Sequence, residues 1–481
     1  MKAPKNSIFY IGISLTVIIG SYLTFHLLSG DKTHFLSGDT THGHYQFEVE
    51  CNACHIEAFA DEDVMQDACE SCHADELEKI NDSHPKSVFL DPRNAELLSQ
   101  LDARYCITCH REHKPEITRN YGVTLASDFC FHCHKDIAEE RQSHQGMEFK
   151  DCTTSGCHNF HDNSMLYEKF LTRHINQPDL LTKPTLPKPT GLKRWLKKNK
   201  KTLPLSEAKA DIQESLLAIE LENQDSEKES LEANSSSDEL NQELSEVRAK
   251  TNATQKWQKS IHSKVNANCS SCHLDSEQHE KLSVDFESPS EQCADCHQKQ
   301  QQTFMLGKHG LRHSLNLKPM SADQSRLDVD PTNSNRLTCI SCHDPHSLNV
   351  QVAAVEACLS CHQDQHSKNY KQSKHFLLWQ EELAGTKPPG SGVSCASCHL
   401  PRIKKGKRVT IMHNQNFNLR PNIKMLKKVC MSCHGLRFSL SSLADKEIIT
   451  NNFSSSPTTV HPTFELIEQR ILEKKKLNQS Q

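Results

Sequence analysis

The sequence predicts a mainly α, irregular fold: two domains with little sheet, preceded by an N-terminal transmembrane helix. Three observations predict it. Cysteine and histidine recur in one fixed pattern, the apolar content is thin for an ordinary core, and one long apolar run stands at the N-terminus.

The pattern is Cys-x-x-Cys-His. Ten copies occur, numbered below with the eleventh in chain order: Cys51-Cys54-His55, Cys69-Cys72-His73, Cys106-Cys109-His110, Cys130-Cys133-His134, Cys269-Cys272-His273, Cys293-Cys296-His297, Cys339-Cys342-His343, Cys358-Cys361-His362, Cys395-Cys398-His399 and Cys430-Cys433-His434. Another, Cys152-Cys157-His158, fifth in the chain, has four residues between its cysteines, so its loop must bulge to place both sulfurs. Eleven pairs account for all 22 cysteines. This is the c-type haem attachment spacing: two thiols form thioethers to the vinyl groups and the adjacent imidazole ligates iron. Zinc sites need paired half-sites, and neither zinc nor a redox dithiol requires a histidine after every second cysteine. The expected cofactor is haem c, eleven copies, covalently held.

Composition agrees. Hydrophobic residues make up 35% of the 481-residue chain and aromatics 6%, too few for a conventional core of that length. Eleven macrocycles would supply the missing apolar surface, so the domains should be haem-organised and should not fold without haem. The net charge of −5 gives no basic bias toward nucleic acid.

Ile8 to Leu28 is a run of 21 mostly apolar residues behind Lys2 and Lys5. As a helix it spans about 31 Å, enough for a bilayer core. No small-residue cleavage site stands out before Asp31, which favours an uncleaved signal anchor over a signal peptide. The lysines place the N-terminus in the cytoplasm and the rest in the periplasm, the anchor lying in a bacterial inner membrane. His26, near the outer end of the run, reads as interfacial.

The motifs fall into two clusters, which sets the organisation: an anchor at 1–30, a five-haem domain at 31–175, a linker at 176–256, a six-haem domain at 257–465 and a charged tail at 466–481. The linker has neither Cys nor His. It begins proline-rich, turns basic from Lys193 to Lys201, and is then rich in Glu, Ser, Gln and Leu. Each motif should sit on a short helix, with loops between.

Thirty histidines are present and eleven are proximal ligands. The other nineteen suffice for every iron to be bis-His. His113, His161 and His346 lie three residues after a proximal histidine; on a helix they share its face, so they would ligate a neighbouring haem. His42 or His44, His84, His144, His262, His309, His375 and His413 precede motifs in loops and are the other candidates. His132, inside its own motif, is not expected to ligate. No methionine has a repeated relation to the motifs, so low-potential bis-His haem is the default.

The first half, an anchor followed by closely spaced CxxCH motifs with interleaved His, resembles class III cytochromes and membrane-anchored quinol-oxidising multihaem cytochromes. Its first motif is followed by Ile56 and Glu57, where the latter tend to carry Met. The second half, from Lys308-His309-Gly310 through Cys339–His346 to Cys430–Gly435, is similar to the hydroxylamine oxidoreductase and octahaem cytochrome family. The resemblance implies electron transfer in anaerobic respiration, from the quinol pool or a quinol-oxidising donor to periplasmic or outer-membrane cytochromes as redox partners. Those enzymes also use a haem with an open iron face. A reductase or oxidase of a small nitrogen or sulfur compound is therefore the second reading, with His309, His313, Tyr370, Lys374 and His375 as the residues to follow.

Overall fold

The computed structural model describes residues 5–479 except 30–31, 58–60, 142–143, 148–151, 153–156, 163–165, 184–185, 190–251, 266, 268–271, 273–288, 333–336 and 420. The protein is mainly helical, and the described residues form one sheet of two strands. The chain divides into two compact units. The first is Met1–Gln177 with Gly435–Ala444 and Thr459–Gln481; the second is Pro178–His434 with Asp445–Thr458.

In the first unit, the N-terminal helix Lys5–Ser29 is long and apolar enough to cross a membrane, with a mean hydropathy of 1.8 over Phe9–Ser29 and no part of that span buried. The helix Glu62–Ile80 starts where the Asp61 carboxylate accepts from Val64 N–H at 3.1 Å. It stops at Asn81, whose φ of 55° ends the run of helical hydrogen bonds. The apolar core is small. Phe89, Phe129, Leu166 and Leu171 are buried, and the C-terminal segments add Leu436, Leu440, Phe464 and Ile467.

Those C-terminal residues depart from the sequence expectation. Residues 466–479 of the expected charged tail belong to the helix Thr463–Gln479, which packs on Glu168–His174. The cause is an apolar stripe: Phe464 and Ile467, one turn apart, are buried, while Glu468 and Leu472 face outward.

The second unit carries the antiparallel hairpin Arg402–Lys405 with Arg408–Ile411, turned at Gly406 (φ 58°). Part of the expected linker is built into this unit. Leu186 is buried; its N–H donates to Gly390 O at 2.9 Å, and Arg402 donates to Pro187 O at 2.9 Å. The basic and acidic stretches of the linker lie outside the described residues.

Candidate haem sites

Each described Cys-x-x-Cys-His sits on one helical turn. The histidine N–H bonds back to the first cysteine's carbonyl at 2.7 Å for His55, 2.8 Å for His110, 3.0 Å for His134, 3.1 Å for His343, and 2.9 Å for both His362 and His434. The motifs of His73, His297 and His399 lie within helices Glu62–Ile80, Pro289–Met305 and Cys395–His399. One turn places residues i, i+3 and i+4 on a common face. Both thiols and the imidazole therefore point the same way, as attachment to one macrocycle requires. His273 lies outside the described residues.

Nine of the motif histidines face a second histidine ring. In the first unit the pairs are His73 with His44 (centroids 6.0 Å apart), His134 with His84 (6.0 Å), His110 with His161 (6.3 Å) and His158 with His144 (6.2 Å). In the second they are His297 with His262 (6.1 Å), His362 with His309 (6.0 Å), His343 with His413 (6.4 Å), His399 with His366 (6.3 Å) and His434 with His375 (6.3 Å). Two imidazoles on opposite sides of one iron, each about 2 Å from it through nitrogen, place their centroids about 6 Å apart. The residues present thus fit a bis-His haem at nine motifs. Among the described residues no group of three or more His, Cys, Asp and Glu is arranged to hold a metal ion, which is the arrangement a four-ligand zinc site would need.

The outer nitrogens explain how the rings are held. A carbonyl oxygen can only accept, so a ring whose Nδ1 meets one must carry its proton there and keep the Nε2 lone pair for metal. His84 donates in this way to Phe160 O (2.5 Å), His413 to Ile411 O (3.3 Å), His110 to Gly122 O (3.0 Å) and His434 to Asp179 O (2.9 Å); His366 donates likewise to Ile449 O (2.5 Å), while its Nε2 accepts from Asn452 Nδ2 at 3.3 Å. Two others donate to carboxylates: His44 to Glu112 at 2.8 Å and His161 to Asp82 at 3.2 Å. His461 shows the opposite tautomer. Its Nδ1 accepts the Thr463 N–H at 3.2 Å, which leaves the proton on Nε2, so this buried ring is built for packing.

Burial keeps most paired rings neutral, the form that ligates metal. Desolvation, then the facing ring, pushes His309, His375 and His399 down to about 4. It lowers His134, His144, His158, His262, His297, His343, His362 and His413 in the same direction. His73 is the exception: a hydrogen bond with Glu76 raises it.

Successive motifs are neighbours. The first cysteines of the second and third motifs, Cys69 and Cys106, lie within hydrogen-bond reach of each other. Cys293 and Cys339 repeat the contact between the seventh and eighth motifs, and Cys358 and Cys395 between the ninth and tenth. Cys54 feels Cys72, Cys130 feels Cys109 and Cys152, Cys342 feels Cys358, and Cys398 feels Cys430. Within each unit the described motifs follow one another in space as they do in sequence.

Seven of the expected distal histidines stand opposite a motif ring: His84, His144, His161, His262, His309, His375 and His413. At the second motif it is His44, not His42, that faces the ring, because Glu112 fixes its Nδ1. His42 lies 5.7 Å from Tyr45 instead. His113 and His346 are not among the nine pairs. His366 was not among the candidates, although it faces His399. A signal existed: Asp364 caps a new helix, Gln365–Asn369, right after the ninth-motif histidine His362, and so turns His366 away from it. Glu112 and Asp82 had no sequence signal, since their partners lie 68 and 79 residues away.

Comparison with known proteins agrees with this chemistry. Residues 43–135 match the cytochrome c3 family. The chain is also 24% identical over 182 residues to multiheme cytochrome MtrA of Shewanella baltica (strain OS185), over 34% of this chain and 41% of that protein. It thus spans about two fifths of the relative's length. No solved structure matches the chain. Motifs and comparisons together support a multihaem c-type cytochrome, carrying covalent haem c and serving electron transfer.

Proposed function

We propose that this chain is an undecahaem electron relay. It is anchored by Lys5–Ser29 in the bacterial inner membrane, with its haem units in the periplasm. It passes electrons from the quinol pool or a quinol-oxidising donor to periplasmic or outer-membrane cytochromes in anaerobic respiration. The observation that carries the reading is the set of nine facing histidine pairs at 6.0–6.4 Å. Haem bound there supplies one-electron exchange between neighbouring irons; two histidines on each keep substrate off. The residues do the rest. Cysteines fix each group, Nδ1 acceptors orient each ring, and the chain-order contacts of successive thiols set the path within each unit.

His113 is assigned to the first motif. Its Nδ1 donates to Gly38 O at 2.7 Å, leaving Nε2 available, and the neighbouring Glu112 acts electrostatically on Cys54 of that motif. Three of the five residues followed for the catalytic reading have other partners in the second unit. His309 and His375 each face a motif histidine, and buried Tyr370 donates its hydroxyl to Val393 O at 2.8 Å.

Electron paramagnetic resonance of the fully oxidised holoprotein tests the proposal. Low-spin ferric signals throughout are the expected result. A stoichiometric high-spin signal that shifts with nitrite, hydroxylamine or sulfite would replace the relay with an enzyme.

A further inference from the structure

Two residues after the proximal His110, Glu112 occupies a place that attachment and ligation leave unexplained. Its Oε1 lies 2.8 Å from His44 Nδ1. Thr41 N–H donates to Oε2 at 2.9 Å, and the Thr41 hydroxyl lies 2.9 and 2.8 Å from the two oxygens. The next residue closes the arrangement. His113 adopts φ 57°, a left-handed conformation rare outside glycine, and its Nδ1 donates to Gly38 O at 2.7 Å. A Cβ on Gly38 would come within 2.9 Å of His113 O, so only glycine allows that approach. Gly38 and Thr41 thus clamp the Glu112–His113 dipeptide from both ends.

His44 Nδ1–H, Thr41 N–H and the Thr41 hydroxyl all donate to the carboxylate, and donors of this kind favour its anionic form. Two effects then act together at the second motif. A ring that gives its Nδ1–H to an anion donates more electron density through Nε2, and a nearby negative charge stabilises ferric over ferrous iron. Elsewhere the rings donate to neutral carbonyls, as His84, His366 and His413 do, or over the longer 3.2 Å between His161 and Asp82.

We propose that Glu112 is a potential-setting residue: by accepting the Nδ1–H of His44 it holds the second-motif haem at the low-potential end of the first unit. This rests on the reading of His44 and His73 as the axial pair of that haem. It makes that haem the last in the unit to be reduced and the strongest reductant once reduced.

The test is a potentiometric titration of the full-length holoprotein, followed optically and by electron paramagnetic resonance. In Glu112→Gln, one haem equivalent should move upward from the low-potential end, with all irons remaining low-spin and Glu112→Asp restoring part of the shift. Titration curves that superimpose on wild type overturn the proposal. So does a new high-spin haem in Glu112→Gln, which would mean that Glu112 only keeps His44 in place. Should that variant not assemble, Thr41→Val removes a donor that competes with His44 for the carboxylate. It should move the same haem further down, opposite in sign to Glu112→Gln, and an unchanged curve again overturns the proposal. His44→Ala separates the two readings: a low-spin spectrum removes His44 from the axial pair, whereas a high-spin signal beside an unshifted Glu112→Gln titration removes the tuning alone.

Discussion

The two units hold their histidine pairs by different means. In the first, two of the four distal rings lean on carboxylates, His44 on Glu112 and His161 on Asp82, and the His44 and His161 side chains are 32% and 34% exposed. In the second, His366 and His413 lean on main-chain carbonyls, and desolvation, helped by the facing ring, pushes His309, His375 and His399 down to about 4. Carboxylates thus hold two distal rings of the first unit, while desolvation acts on rings of both units and most strongly on His309, His375 and His399 of the second. A carboxylate favours the ferric state, while burial disfavours the extra positive charge of that state, so the two devices push potentials in opposite directions.

The largest expected effect breaks the buried side of this contrast. His375 stands at the start of helix Lys374–Leu383, capped by Ser373, facing His434 at 6.3 Å. His375→Ala should convert one iron to high-spin and, at this half-buried position, lower stability by less than the ~2–5 kcal/mol of a fully buried large-to-small change. Electron paramagnetic resonance and thermal unfolding check the two parts. A wholly low-spin spectrum would show that His375 is not a ligand.

Next comes the choice between neighbours at the second motif. His44→Ala should yield one high-spin iron with little loss of stability, because the ring is a third exposed. His42→Ala should leave the spectrum unchanged. If the two variants exchange behaviours, the carboxylate-anchored class loses its clearest member.

A smaller effect sharpens the role of charge. Asp82→Asn removes the anion beside His161 but keeps a hydrogen-bond acceptor. It should raise the potential of the third-motif haem, by less than Glu112→Gln raises the second, since its contact is 3.2 Å rather than 2.8 Å. Spectroelectrochemical titration of both variants gives the order. An equal or larger shift in Asp82→Asn would mean that distance to the carboxylate does not govern the tuning.

Much of this was readable in the residues. The motif count, the apolar N-terminal helix and the helical bias follow from local spacing, and a one-turn motif has a single way to aim its thiols and imidazole. Histidines before a motif were legible as candidates for a related reason: His84, His144, His262, His309, His375 and His413 each lie off the motif helices, although His262 and His375 stand on short helices of their own rather than in the expected loops. The choice between His42 and His44 was not, because it turns on Glu112, 68 residues from His44 in sequence. His366 was hidden by its closeness to His362 until Asp364 was seen to cap a separate helix. The C-terminal helix was masked by its charge, although Phe464 and Ile467 mark the face that is buried.

The smallest expected effect concerns a proximal ring, where both units use the same device. His110 gives its Nδ1–H to Gly122 O at 3.0 Å, and His434 gives its own to Asp179 O at 2.9 Å. Gly122 has φ 79°, and a Cβ there would lie 3.4 Å from His110 Nδ1, so a side chain meets both backbone strain and a tight contact with the ring. Gly122→Ala should therefore lower stability by about 1–2 kcal/mol, the usual penalty for a left-handed L-residue. The third-motif iron should stay low-spin, because the carbonyl that orients His110 belongs to the main chain and survives the substitution. Thermal unfolding and electron paramagnetic resonance read the two separately. A high-spin iron would show that this carbonyl is positioned less firmly than the distal carboxylate of Asp82, and would move the weak point of the site from its charged side to its neutral one.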